Sequence, residues 1–301
     1  MSGQLVLDGM PGLDLPEHQW TAPPDPAPGR APVLHISCPE PAWLARPDMP
    51  PLLVTRARME RLARPPRAVR GWILDSDGFR HLGKHGRWTI TAAEYAAQAD
   101  EWMRRIGLLK AAAVQDWCCE QHICDRTRPY VSGLAGADLD RRGVIDQHQR
   151  LTIASYLELR KLAPRVPWMP VIQGWTAGQY RRHADMWEDA GVDLAAAPLV
   201  GLGSVCSRSG SQPSLIPISQ LVRDLAERGV RLHAFGLKTT ALPWMREHLV
   251  SVDSAACFKQ ARCQNMRAFP DCPHPGDCRN CPRWAAHWHR DLSDRDLVRA
   301  A

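Results

Sequence analysis

The stretch WILDSDGF, residues 72–79, runs apolar for three residues, delivers an aspartate at 75 and turns on Ser76-Asp77-Gly78. A short apolar run that ends on a carboxylate and a glycine reads as a strand buried on both faces, its acid at the C-terminal end. That reading requires similar runs elsewhere in the chain. They recur as PVLHIS at 32–37, LLVT at 52–55, AAVQDW at 112–117, WMPVIQG at 168–174, LVGLGSV at 199–205, LHAFGLK at 232–238 and LVSVDSA at 249–255. With WILD at 72–75 they make eight candidate strands, most of them continuous rather than alternating.

Helices with legible ends separate several of these runs. Thr91 and Glu94 form a capping box, after which Tyr95, Ala99, Trp102 and Ile106 recur at helical spacing and Gly107 ends the run. Thr176 and Gln179 open a second helix with Tyr180, Ala184 and Trp187 on one face. SQLVRDLAERG supplies a third, with Ser219 as cap and Gly229 as stop. Strands alternating with helices predict an α/β fold, a (β/α)8 TIM barrel over residues 31–256, with a doubly wound sheet as the competing arrangement.

The flanks differ from this body. Fourteen of the 26 prolines fall in the first 66 residues, so residues 1–30 read as an extended leader, and residues 38–70, rich in proline and arginine, leave room for an irregular excursion where the first two strands are read. Five of the ten cysteines lie within residues 257–301, which we expect to form a zinc-binding segment and a C-terminal helix. The remaining five, Cys118 and Cys119 among them, read as small buried hydrophobes. A disulfide scaffold belongs to small secreted chains, so the clustering points to metal. In CPHPGDCRNC, residues 272–281, the pair Cys278 and Cys281 has the turn spacing that lets two thiolates grip one tetrahedral zinc, and Cys272 with His274 can complete the four. Cys263, His287 and His289 are the other candidates for the fourth place. Such a closed site is structural and leaves no position for a catalytic water.

A net charge of +6 suits a polyanionic partner without requiring one. No apolar stretch of membrane-spanning length occurs and the N-terminus lacks the layout of a signal peptide, so we expect no membrane partner and a cytoplasmic location.

In a parallel barrel the working residues lie where the C-terminal ends of the strands converge. Those ends carry Asp75 with Ser76, Asp116, Gln173, Gly201 to Gly203, Gly236 with Lys238, and Asp253. Three carboxylates gathered at one desolvated mouth repel one another unless a substrate or cation uses them. Paired carboxylates there suit glycosidic chemistry, one attacking the anomeric carbon and another handling the leaving group's proton.

In this order, WILDSDGF, VQDW, VIQGW, VGLGSV, HAFGLKT and SVDSAACF resemble the strand-end motifs of the tRNA-guanine transglycosylase superfamily. The nearer likeness is to its DNA-acting branch, the 7-deazapurine DNA modification transglycosylases of phages and bacterial genomic islands, and it covers residues 31–290. The resemblance implies a zinc-bearing TIM barrel that exchanges guanine in double-stranded DNA for a 7-deazaguanine such as preQ0. It implies Asp253 as the nucleophile at C1′ and Asp75 as general acid/base. Asp116 would accept from N1 and the exocyclic amine of the purine. Gln173 with the backbone of Gly201, Leu202 and Gly203 would meet its other edge, Ser76 and Gly236 would line the base site, and Phe79 and Phe235 would sandwich the ring. Accessory modification subunits and a role in restriction evasion would fit such an enzyme.

One departure stands out: where the family shows Asp-Ser-Gly-Gly, this chain has Asp77 at the third place. An aspartate tolerates the left-handed backbone that glycine takes freely. The stretch GFRHLGKHGRW that follows, residues 78–88, reads as a flexible cationic loop whose Arg80, Lys84, His85 and Arg87, with Lys238, would meet phosphates beside a flipped nucleotide. The alternatives are the same exchange on tRNA, which the short tail after the metal candidates disfavours, and a catalytically silent zinc-bearing nucleic-acid-binding barrel. A metal-dependent hydrolase would need strand-end histidines, and His233 sits too early in its run to serve.

Overall fold

The computed structural model describes residues 31–206 and 212–295, so the proline-rich leader lies outside the described residues. Nine parallel strands are described: β1 (Val33–Ser37), β2 (Leu52–Thr55), β3 (Trp72–Asp75), β4 (Leu109–Ala113), β5 (Trp168–Met169), β6 (Val171–Ile172), β7 (Val200–Leu202), β8 (Leu232–Ala234) and β9 (Ser251–Ser254). Their order in the sheet is β5-β4-β3-β2-β1-β9-β8-β7-β6. The two ends of that order are halves of one stretch, parted at Pro170, which has no N–H for a ladder. Met169 pairs with β4 and Val171 with β7, so the sheet closes through residues 168–172. The result is a TIM barrel of eight staves.

Ten helices lie outside the strands among the described residues: α1 (Arg56–Met59), α2 (Gly78–His85), α3 (Ala92–Ile106), α4 (Gln121–Ala135), α5 (Arg141–Leu162), α6 (Ala177–Asp189), α7 (Gln212–Glu227), α8 (Leu242–Met245), α9 (Ala256–Cys263) and α10 (Pro282–Asp294). Both expected capping boxes are present, at Thr91 with Glu94 and at Thr176 with Gln179. The faces they orient are buried: Tyr95, Ala99, Trp102 and Ile106 on α3, and Tyr180, Ala184 and Trp187 on α6. Large aromatics fill the space between helices and barrel, and three of them have their polar tips satisfied. Trp72 donates to the Gly107 carbonyl at 2.8 Å, Trp168 to Ala163 at 3.0 Å and Tyr95 to Ala113 at 2.7 Å.

Three expectations need correction. The fourth strand runs over Leu109–Ala113 rather than 112–117, so VQDW lies beyond its end, in the loop over the mouth. Ser219 is inside α7, where its hydroxyl returns to the Ile216 carbonyl at 2.9 Å and caps nothing; the stop at Gly229 holds, at φ +86°. Residues 78–85 are helical, not a flexible loop, because Asp77 turns the chain into them.

Candidate active site

The ends of β2, β3, β8 and β9 and the loops that follow β4, β6 and β7 enclose a cavity of about 300 Å³. Asp75, Asp116, Gln173 and Asp253 line it together with the rings of Phe79 and Phe235. The acids, the amide and the two phenylalanines singled out from the sequence therefore meet in one place.

Asp253, in β9, is 5% exposed. Its Oδ2 accepts from the Ser37 hydroxyl at 2.6 Å and its Oδ1 from the Gly236 N–H at 2.7 Å, with His233 Nε2 3.5 Å from the same Oδ1. Burial pushes this carboxyl up, but His233, through hydrogen bonding and charge, then Ser37 and Gly236, outweigh it and hold it below the ordinary carboxylate range. Gly236 sits at φ +59°, and a Cβ there would come within 2.9 Å of Cys206. His233 is fully buried in β8, and its Nδ1 meets the Ser251 hydroxyl at 2.8 Å. From one residue short of the strand end its imidazole still reaches the carboxylate.

Asp75 is driven the other way. Burial first, then the charges of Asp116, Asp77 and Asp253, raise its pKa well above the ordinary value. The Asp77 N–H, at 3.1 Å from Asp75 Oδ2, is the one donor that opposes them. Asp77 takes φ +66°, ψ +25°, the left-handed turn for which glycine was expected, and its carbonyl accepts the His81 N–H at 2.9 Å to start α2.

The remaining wall is a chain of buried hydrogen bonds. Ser76 donates to Asp116 Oδ1 at 2.8 Å, the Gln173 amide to Asp116 Oδ2 at 2.5 Å, and Gln173 Oε1 lies 2.7 Å from the Ser204 hydroxyl. Ser204, at φ +55°, also meets Glu120 Oε2 at 2.8 Å and accepts the Cys119 N–H at 2.7 Å. Gln173 Oε1 and Glu120 thus share a single hydroxyl proton, and this wall holds more acceptors than donors. Burial lifts the pKa of Asp116, against the bonds from Ser76 and Gln173. A Cβ on Gly203 would lie 2.2 Å from the Gln173 amide nitrogen, so only glycine admits the amide there.

At the C-terminal end of the chain the ligand atoms of Cys272, His274, Cys278 and Cys281 all lie within 4.8 Å of one another and could hold a metal ion. The sulfur of Cys272 is 3.7 Å from that of Cys278 and 3.9 Å from that of Cys281, and Cys278 is 3.8 Å from His274 Nε2. A tetrahedron with metal–sulfur bonds of about 2.3 Å has edges of about 3.8 Å, so the donor set fits such an ion. The Ala268 N–H meets the Cys278 sulfur at 3.2 Å. Of the other candidates, Cys263 is exposed and His289 Nε2 meets the Leu34 carbonyl at 3.2 Å.

In sequence, residues 32–300 match the family described as DeoxyPurine in DNA protein A, DpdA. The chain belongs to that family. Its members act in deazapurine modification of DNA, which agrees with acids and an amide gathered around a base-sized cavity. No curated protein matches the chain. Among solved structures it is similar to a protein from Coccidioides immitis assigned as a fructose-1,6-biphosphate aldolase, with TM-score 0.45, 10% identity and 89% of each chain covered. Another, assigned as a deoxyribose-phosphate aldolase from the same organism, gives TM-score 0.40 and 14% identity, over 80% of this chain and 90% of that one.

Some residues picked from the DpdA-like motifs stand back from the cavity. Ser76 is fully buried behind Asp116 and also accepts the Gly78 N–H at 3.1 Å. Gly201 and Leu202 lie within β7; a Cβ at 201 would strike the Phe235 ring at 2.5 Å, so this glycine seats the ring rather than lining the cavity. Arg80 lines the cavity, whereas Lys84, His85, Arg87 and Lys238 are exposed outside it. The sequence reading missed Ser37, Glu120, Ser204 and His233. Ser204 and Glu120 carry only the faint signal of a polar residue beside an apolar run, and His233 was discounted for its place in the strand.

Proposed function

We propose that the protein exchanges guanine in double-stranded DNA for a 7-deazaguanine through a covalent aspartyl intermediate. One observation carries this reading: two carboxyls of the same cavity are driven in opposite directions, Asp253 toward the anion and Asp75 toward the neutral acid. That split supports Asp253 as nucleophile and Asp75 as proton donor. An Asp253 oxygen attacks C1′ of the nucleotide, forming a C1′–O ester bond as the C1′–N9 bond breaks, and the departing guanine takes the proton of Asp75. The incoming base returns its N9 proton to Asp75 as N9 attacks C1′ and frees Asp253. Either Asp253 oxygen keeps a lone pair free for attack beyond its bonds to Ser37 and Gly236.

The acceptor-rich wall suits a purine whose N1–H and exocyclic amine are donors, with Asp116 receiving them, Gln173 and the backbone of Gly203 on the other edge, and Phe79 and Phe235 about the ring. Zinc is the metal that three thiolates and an imidazole suit, in a structural role, since none of the four residues lines the cavity.

The full chain incubated with preQ0 and either duplex DNA or tRNA, followed by nucleoside mass spectrometry of each, tests the reading. A 7-deazaguanosine in DNA is expected, and a denaturant-stable protein–DNA adduct that Asp253→Ala lacks. Product found only in tRNA would overturn the DNA assignment. Neither product nor adduct would leave a silent nucleic-acid-binding barrel.

A further inference from the structure

The stretch RARMERLARPPRAVR, residues 56–70, holds six arginines and one acid, more positive charge per residue than the 78–88 stretch. It leaves the barrel at the active mouth: Thr55, the residue before it, lines the cavity and lies in register with Asp75. Its first turn is α1, and beyond Met59 it has no regular secondary structure up to β3.

Both ends are tied down. Met59 is buried, and Arg56, 3% exposed, pairs with Glu60, which also receives the Gln98 amide at 3.0 Å. At the far end the Ala68 N–H meets the Ile106 carbonyl at 2.9 Å and the Val69 N–H meets Leu44 at 3.0 Å. The one acid of the segment is therefore committed to Arg56, while Arg61, Arg64 and Arg67 face solvent.

Elsewhere on this protein surface arginines find acids: Arg104 pairs with Asp100, Arg105 with Glu101, Arg181 with Asp224 and Arg283 with Asp271. Among the described residues no carboxylate lies within ion-pair distance of Arg58, Arg61, Arg64 or Arg67. A free cationic row has a partner outside the molecule or repels itself to no purpose. Its field reaches the cavity. Burial raises the Asp77 carboxyl at the cavity wall, and the charges of Arg80 on α2 and of Arg56, Arg58 and Arg61 oppose it.

We infer that residues 58–67 form a phosphate-binding rim that seats the DNA backbone beside the nucleotide held in the cavity. The inference rests on the proposed function. Guanidinium forks match phosphate oxygens in pairs, and a row of them on an anchored, irregular segment follows a backbone without reading bases.

The test compares the full chain with the triple variant Arg61→Ala, Arg64→Ala, Arg67→Ala, all at exposed positions. Binding to a fluorescent duplex and to a fluorescent RNA hairpin is followed by anisotropy across a sodium chloride series, and binding of free guanine by calorimetry. Each phosphate contact contributes about 0.9 to the slope of log K against log salt, so the variant's slope is expected to shrink by about 2 to 3 units. Its duplex affinity is expected to fall at least tenfold, alike for any sequence, with guanine binding unchanged. An unchanged slope and affinity in a variant that melts like wild type would overturn the rim and leave the exchange chemistry intact. Loss of binding to an RNA hairpin but not to the duplex would overturn the DNA assignment. A wild-type protein that neither binds duplex nor exchanges its guanine would remove both inferences.

Discussion

At the residue scale the site depends on carboxyls that share a cavity but not an environment. Asp253 has donors from Ser37 and Gly236 and the His233 imidazole at ion-pair distance; Asp75 has burial, acids on several sides and one N–H. Asp75→Asn should lower the exchange rate by about 10²–10⁴-fold, measured in single-turnover assays. Stability should move the other way. Asp75 titrates above its unfolded value, so its contribution is present below the unfolded pKa and lost as pH rises toward the folded one. The melting temperature of Asp75→Asn relative to wild type should therefore increase with pH from about 4 upward; a constant difference would mean that Asp75 ionises normally. His233→Gln removes the strongest support of the Asp253 anion, so the acid limb of the rate–pH profile should shift to higher pH. A variant that loses rate with the limb unmoved would leave His233 a packing residue.

Asp77 shows how far a local rule carries. Its left-handed conformation follows from the turn that glycine was expected to make, and aspartate is among the few residues that tolerate it. What the motif does not contain is that the Asp77 N–H turns back to Asp75 or that the charges of Arg56, Arg58 and Arg61, from beyond another strand end, act on its carboxyl.

At the element scale α5 positions the base wall. His148, Gln149 and Thr152 on it are fully buried. Gln149 donates to the carbonyls of Gln173, at 2.7 Å, and Gln179, at 2.9 Å. Thr152 accepts the Trp117 N–H at 2.9 Å, and His148 Nδ1 meets the Cys118 carbonyl at 2.7 Å. These bonds tie down the loop that carries Asp116 and the strand end that carries Gln173. Gln149→Leu strands two buried carbonyls and should cost about 1–3 kcal/mol, read by denaturant unfolding, and should raise KM for the incoming base more than it lowers kcat. Neither α4 nor α5 was legible in the sequence, and the reason is physical. Polar residues on the buried face of α5 break its apolar period, and α4 carries Pro129. The partners that make those polar groups tolerable come from other loops. Helices α3 and α6 were legible because their faces are apolar and their capping boxes local.

At the scale of the whole molecule, α10 docks on the barrel, with His289 at the Leu34 carbonyl of β1 and Trp284 donating to Cys257 at 2.9 Å. β1 is also the neighbour of β9, and its His35 is in register with Asp253 of β9. Removing the metal with a chelator, or Cys281→Ser, should free the four-residue cluster, lower the melting temperature by several degrees and reduce exchange together with it. Activity that survives full metal removal would show the docking to be self-sufficient. The fold also buries several neutral imidazoles, His35, His148 and His183 among them. Burial, joined for His35 by the charge of His233, lowers His35 to about 3, and burial lowers His148 to about 4 and His183 to about 3. The unfolded chain takes up those protons below about pH 6.5 and the fold does not. Stability should fall by up to about 4 kcal/mol per pH unit between roughly pH 6 and 4, measured by denaturant midpoints.

The chain by itself determined most of the strands, the acids Asp75 and Asp253 at the ends of two of them, two capped helices and the cysteine spacing, because each is written in residues adjacent in sequence. Closure of the barrel through a strand broken at Pro170, the opposite tuning of Asp75 and Asp253, the Glu120–Ser204–Gln173 wall and the unpaired arginine rim were decided only by the tertiary structure. A pKa, a shared proton and an unpaired charge depend on which distant groups approach within a few ångströms, and local sequence does not specify that.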